Sequence, residues 1–197
     1  MIPLIVSLLL VLLLGVGGTI AYLITHTDPV ENTFTPSQIG LDIVEEFPDS
    51  EVKKAVQIKN TGDVDAYIRV AVNVTWVKVP TETGASSNIV TAKTPVAGED
   101  YTISYANEAA DAWIHGADGF WYYAKPVAAN GLTPILISSC QPIQGRAPEG
   151  YTLSVEIIAS AIQADPAQAV AGSWSNSLIT VAVGTDRTLT ITKKEAA

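Results

Sequence analysis

Cysteine and histidine are what this chain has least of. A single cysteine, Cys140, stands among 197 residues, so no disulfide can form within the chain and a disulfide-stapled secreted scaffold is excluded. The two histidines, His26 and His115, lie far apart, and neither HExxH nor a clustered His and Cys spacing occurs; a zinc ligand set is therefore not expected. No GxSxG elbow surrounds Ser139 or any other serine, and Gly-rich phosphate loops are absent. The pairs Asp63 and Asp65, and Glu99 and Asp100, are not spaced as a calcium loop requires. Cys140 reads as a partly buried, inert thiol rather than a nucleophile. The expectation is no catalytic residue, no metal, no cofactor, and no enzyme.

Positive charge is also short. Eleven Lys and Arg against twenty Asp and Glu give a formal charge of -9, a surface that repels nucleic-acid phosphates and anionic lipid. Nucleic acid is thus not an expected partner. The acidic pairs Glu45 and Glu46, and Glu99 and Asp100, read as a solvated face that keeps the chain soluble.

What is present begins with an apolar run. From Ile2 to Ile24 no residue is charged, a length that would cross a hydrocarbon core of roughly 30 Å. Its dense part spans only Leu4 to Leu14, and Gly15, Gly17 and Gly18 then weaken the helix where a processing enzyme needs extended backbone. Thr19 and Ala21 place small side chains at the minus-three and minus-one positions of a cut before Tyr22. The lysines or arginines that open a signal peptide are missing after Met1. The reading is a signal peptide over 1–21, an arm over 22–36 and a β-domain over 37–197, with a retained anchor as the alternative. Both readings put the bulk of the protein outside the cytoplasm, and membrane contact ends with cleavage.

The remainder is patterned as strands. In "AYIRVAVNVTWVK", Ala66 to Lys78, Ile68, Val70, Val72, Val74 and Trp76 fall on one face, while Tyr67, Arg69, Asn73 and Thr75 fall on a face expected to be wet. "LSVEIIASAIQ", Leu153 to Gln163, alternates in the same way, with an outer face apolar enough to be partly covered. Shorter strands are expected at Ile39–Phe47, Val52–Asn60, Tyr101–Tyr105, Phe120–Lys125, Pro134–Ser138, Leu178–Val183 and Thr188–Lys193. Eight or nine strands imply a two-sheet sandwich or a barrel. Asn60, Gly62 and Asp63 tolerate positive φ and predict a hairpin turn between two of these strands. Asn107–Trp113 and Pro166–Ala171 predict short helices, the second with Asp165 as cap and Pro166 at the first helical position. Thr81–Thr94 is the candidate flexible excursion. In "GFWYY", Phe120 and Tyr122 are expected in the sandwich core, with Trp121 and Tyr123 toward a second layer; the alternative is a ligand platform together with Trp113. "NVT" at Asn73 matches a glycosylation acceptor but falls inside a strand.

Four stretches, "GVGGTIAYLITHTDPVENTFTPSQIGLDI", "IKNTGDVDAYIRVAV", "GADGFWYYAKPV" and, after it, "PEGYTLSVEIIASAIQA", together resemble the TasA and camelysin family of exported bacterial matrix proteins. The most specific parts are the cleavage region Gly17 to Ala21 and the turn and strand carrying Asn60, Thr61, Gly62, Asp65, Tyr67 and Arg69. The resemblance implies an all-β, jelly-roll-like antiparallel sandwich with one or two short helices, secreted to the cell surface or extracellular matrix. It further implies processing by an ER-type signal peptidase and head-to-tail self-assembly into biofilm fibres, with possible accessory or minor subunits. The freed N-terminal segment is expected to be donated as a strand to the next subunit, with Leu23, Ile24, Val30 and Phe34 as its inserting side chains. Camelysin relatives also carry a metalloprotease label, which the residues here give no ligand set to support. Alternatives to the fibre subunit are a monomeric surface module binding through its aromatic patch and, last, such a protease.

Overall fold

Alternation of β-branched residues builds the longest pair of strands. The computed structural model describes residues 38–49, 52–80, 89–106 and 112–195. Strands β1 (Leu41–Asp49), β2 (Val52–Asn60), β3 (Ala66–Lys78) and β4 (Tyr101–Tyr105) are followed by β5 (Trp113–His115), β6 (Trp121–Tyr123), β7 (Ile137–Pro142) and β8 (Tyr151–Gln163). A helix, α1 (Ala167–Trp174), and strands β9 (Ile179–Val183) and β10 (Leu189–Lys193) complete the order. β3 and β8 pair antiparallel without a slip from Ala66 opposite Gln163 to Lys78 opposite Tyr151. Because side chains alternate with period two, this fixed register puts every apolar odd-numbered residue of β8 on one face.

That face closes one core. The sheet β5-β6-β3-β8 lies against the sheet β1-β2-β7-β4, and Val56, Ile58, Ile68, Val70, Ile137, Cys140 and Ile157 fill the space between them. Each fully buried Val or Ile side chain contributes about 1.5–3 kcal/mol relative to exposure. The described chain is thus mostly antiparallel β with one short helix, the β class that the period-two alternation led one to expect. None of its helices is long and apolar enough to cross a membrane.

A second core lies on the other side of β3. Helix α1 and the β9–β10 hairpin cover the outer face of the β3 sheet, burying Tyr67, Tyr122, Val170, Trp174, Ile179, Val181 and Leu189. The face of β3 expected to be wet is therefore dry at Tyr67, which is 0% exposed, and open only farther along, at Asn73. The assignment in "GFWYY" is reversed. Trp121 and Tyr123 pack on the core between the sheets, whereas Phe120 and Tyr122 face the added layer. The alternation is as read, but nothing local to the strand says which of two apolar layers lies on which side.

Other expectations shift. Asn60 to Asp63 is not a hairpin turn: β2 and β3 belong to different sheets, and none of Asn60, Gly62 or Asp63 adopts a positive φ. Gly62 is needed for space, since a Cβ there would collide with the Gln38 carbonyl oxygen. Trp113 begins a strand, the rest of the helix expected at Asn107–Trp113 lying outside the described residues except Ala112. Pro166, not Asp165, is the cap of α1, without a side-chain cap bond, and the Asp165 carboxylate instead meets Arg187 at 3.3 Å. β7 starts at Ile137 rather than Pro134. Of the excursion at Thr81–Thr94, residues 81–88 lie outside the described set, while Ile89 returns to β3 by accepting the Lys78 N–H at 2.8 Å.

Candidate functional site

The hydrogen-bond parity of β8 defines an open edge. Ala164 N–H donates to the Asp65 carbonyl and Val79 N–H to the Gly150 carbonyl, both at 2.8 Å, so these pairs bracket the β3–β8 ladder. In an antiparallel ladder the inward and outward residues alternate. Even-numbered residues of β8 therefore direct N–H and C=O toward β3, and Leu153, Val155, Ile157, Ala159, Ala161 and Gln163 direct theirs away from it. Among the described residues no strand pairs with β8 on that side. Leu153, Val155, Ala159 and Ala161 also turn their side chains toward the core between the sheets, yet remain half-buried. An unpaired strand edge with an apolar flank is a template for another strand.

Across the gap from β8 stands β1, the edge of the facing sheet. Leu41 packs on the shared core, and Ile43 and Val44 are 42% and 40% exposed. Between the two edges lies a buried ion pair. Lys53, only 9% exposed, sends its ammonium to the Glu45 carboxylate at 2.8 Å and donates to the outward carbonyl of Val155 at 2.7 Å. The pair ties β1 and β2 to the edge of the opposite sheet. Glu45 is thus not part of a solvated pair, although Glu46 beside it is exposed. Asp100 departs from the same expectation: it is 5% exposed and accepts the Val96 N–H at 2.9 Å and the Lys93 ammonium at 3.2 Å. The Val96 N–H first, and Lys93 after it, hold its carboxyl below the usual carboxylate range.

The inward course of Lys53 could not be read from alternation. The β1–β2 register slips between Val44 and Glu46, where Ala55 takes a φ of 51°. A one-residue bulge exchanges the two faces of a strand. Counting back by twos from Ile58 and Val56 would turn Lys54 inward and Lys53 out.

The motif residues form a corner against Gln38 and Gly40, at the start of the described chain. Asn60 is fully buried; its amide donates to the carbonyls of Val64 (2.8 Å) and Val127 (3.0 Å), while its oxygen accepts the Gly62 N–H at 3.0 Å. Thr61 N–H donates to the Gly40 carbonyl at 2.8 Å and Asp63 N–H to the Gln38 carbonyl at 3.1 Å. Asp65 pairs with Arg187 at 3.1 Å, and the Tyr67 hydroxyl donates to the Arg187 carbonyl at 2.8 Å. Arg69 stacks on Phe120 at 4.3 Å and Trp174 at 5.2 Å, and its Nε donates to Ser160 at 3.0 Å. These residues weld the corner and the third layer. Thr19, Ala21, Tyr22, Leu23, Ile24, Val30 and Phe34 lie outside the described residues.

Elsewhere, Tyr105 stacks on Trp121 at 4.3 Å, His115 lies 4.6 Å from Trp121, and Trp113 meets Tyr123 at 5.5 Å. Tyr122 is fully buried and is no part of that surface. Burial pushes the Cys140 thiol up to about 11, against a weaker downward pull from Lys53, so it carries almost no thiolate at neutral pH. Among the described residues no three His, Cys, Asp or Glu side chains gather as metal ligands.

Fold and site together define a class: an antiparallel two-sheet β-protein with a small covering layer and a long edge, β8, that no strand among the described residues pairs. Compared with known proteins, the chain matches no family model, no curated protein sequence and no solved structure.

Proposed function

We propose that this chain is a secreted structural subunit that polymerises head-to-tail into extracellular or biofilm-matrix fibres by donating its N-terminal arm as a strand to the next copy. The observation that carries the reading is the edge of β8 that no strand among the described residues pairs, with its half-buried apolar flank. Such an edge is a liability unless it is blocked or paired, and strand addition supplies main-chain hydrogen bonds with specificity from side-chain pockets. A contact between two different surfaces of identical copies propagates as a filament unless it closes into a ring. The resemblance to exported matrix proteins at Gly17 to Ala21 and Asn60 to Arg69 supports the same reading.

A jelly-roll-like winding belongs to this proposal. Its support is that β2, β7 and β4 neighbour one another in one sheet while β6, β3 and β8 do so in the other, so the chain crosses repeatedly between sheets. Signal peptidase and accessory or minor fibre subunits are the further partners in this reading. Deleting Tyr22 to Phe34 from the mature chain is expected to abolish filaments in negative-stain electron microscopy while the β far-UV spectrum persists. Normal filaments from that truncation would rule out donation by the arm. A monomeric binding module remains the second reading, favoured by the half-exposed row of Tyr105, Trp113, Trp121 and Tyr123. It predicts a mature protein that stays monomeric and binds glycan.

A further inference from the structure

The edge of β8 that no described strand pairs is not uniform along its length. At its start the Tyr151 N–H is taken by the Pro148 carbonyl at 3.0 Å, and two outward residues later the Val155 carbonyl is taken by Lys53. An ammonium there occupies the place of an incoming strand's N–H, and it is fixed by Glu45 from the facing sheet. Inward-pointing charge of this kind blocks strand addition. From Ile157 to Gln163, seven residues, the outward N–H and C=O groups meet no described strand, and Ala159 and Ala161 leave room beside the core.

The course of the chain at Gln38 fits this division. Gln38 and Gly40 continue the line of β1 along Thr61 and Asp63, so the described chain begins at the end of the sandwich where Ala66 pairs with Gln163. In the proposed head-to-tail row, an arm extended from that end would meet the next copy first at the Tyr151 end of β8 and run antiparallel to it. The fifteen residues Tyr22–Pro36, at about 3.3 Å each, reach about 50 Å, enough to span β8 at about 43 Å. Pro29 and Pro36, which lack an N–H, then fall toward the guarded half, and the seven proline-free residues Tyr22 to Asp28 toward the open half.

Resting on the reading of the chain as a strand-donating subunit, we infer that Ile157–Gln163 is the acceptor, that it pairs antiparallel with Tyr22–Asp28 of a second copy, and that the Lys53–Glu45 pair ends the pairing at Val155. Proline scanning tests this, because the N–H of an odd-numbered β8 residue points outward and its loss leaves the β3 ladder intact. In the mature chain, Ala161→Pro should keep the far-UV spectrum and lose filaments, whereas Leu153→Pro should keep both. Should Leu153→Pro fail to fold, disulfide trapping replaces it: Ile24→Cys should form intermolecular dimers with Ala161→Cys and not with Leu153→Cys. Filaments from folded Ala161→Pro, or trapping at Leu153→Cys equal to that at Ala161→Cys, would overturn the acceptor assignment while leaving polymerisation standing. A wild-type mature chain that forms no filaments would remove both.

Discussion

Tyr122 shows how one side chain couples the added layer to pH. Burial first, and then its 2.7 Å hydrogen bond to the Asp118 carboxylate, push the hydroxyl up to about 12, with Arg69 acting weakly the other way. A folded pKa above the unfolded value near 10 means that the stability it contributes is fully present below about pH 10 and is lost as pH rises through about 12. Thermal melts of the wild type should therefore hold steady through neutral pH and fall steeply above about pH 10. Tyr122→Phe, which cannot ionise, should melt lower at neutral pH and show a shallower alkaline decline. An alkaline limb of unchanged steepness in the variant would place the effect in other tyrosines.

At the scale of elements, α1 is held by what it covers. It has no side-chain cap, no acidic residue in its first turn and no basic residue in its last, and eight residues are too few to be helical alone in water. Its stability comes from Val170 and Trp174, which lie against Tyr122, the Trp174 ring meeting that of Tyr122 edge-on at 5.5 Å. Trp174→Ala should cost about 3–5 kcal/mol, the range for a buried large-to-small change, and should expose Tyr67 and Tyr122 to solvent. Chemical denaturation followed by tyrosine accessibility would read both. The β3–β8 ladder, by contrast, is tied through its full length and should survive that loss.

At the scale of the whole molecule, the proposed mechanism sets the apolar leader against the edge of β8. On that proposal, Ile2 to Ala21 held in a bilayer would tether the arm and keep it from a second copy. In the proposed mechanism, uncut protein stays monomeric at the membrane and processing starts assembly. N-terminal sequencing and negative-stain imaging of the same secreted fraction should find filaments only where the chain begins at or near Tyr22.

Alternation in the amino-acid order determined β2, β3 and β4 to the residue, the odd-numbered apolar face of β8 and the antiparallel β class, because a period of two is local to each strand. It could not reveal Lys53 as an inward charge, since a single bulged residue at Ala55 exchanges the faces. Nor could it show that Tyr67 and Arg69 lie under a third layer, or that Asn60 to Asp63 joins two sheets rather than two neighbouring strands. Those facts depend on contacts between residues more than sixty apart in the chain, Asn60 with Val127 and Tyr67 with Arg187 among them. Only the tertiary structure decided which edge no described strand pairs, because pairing is a property of what lies beside a strand and not of the strand itself.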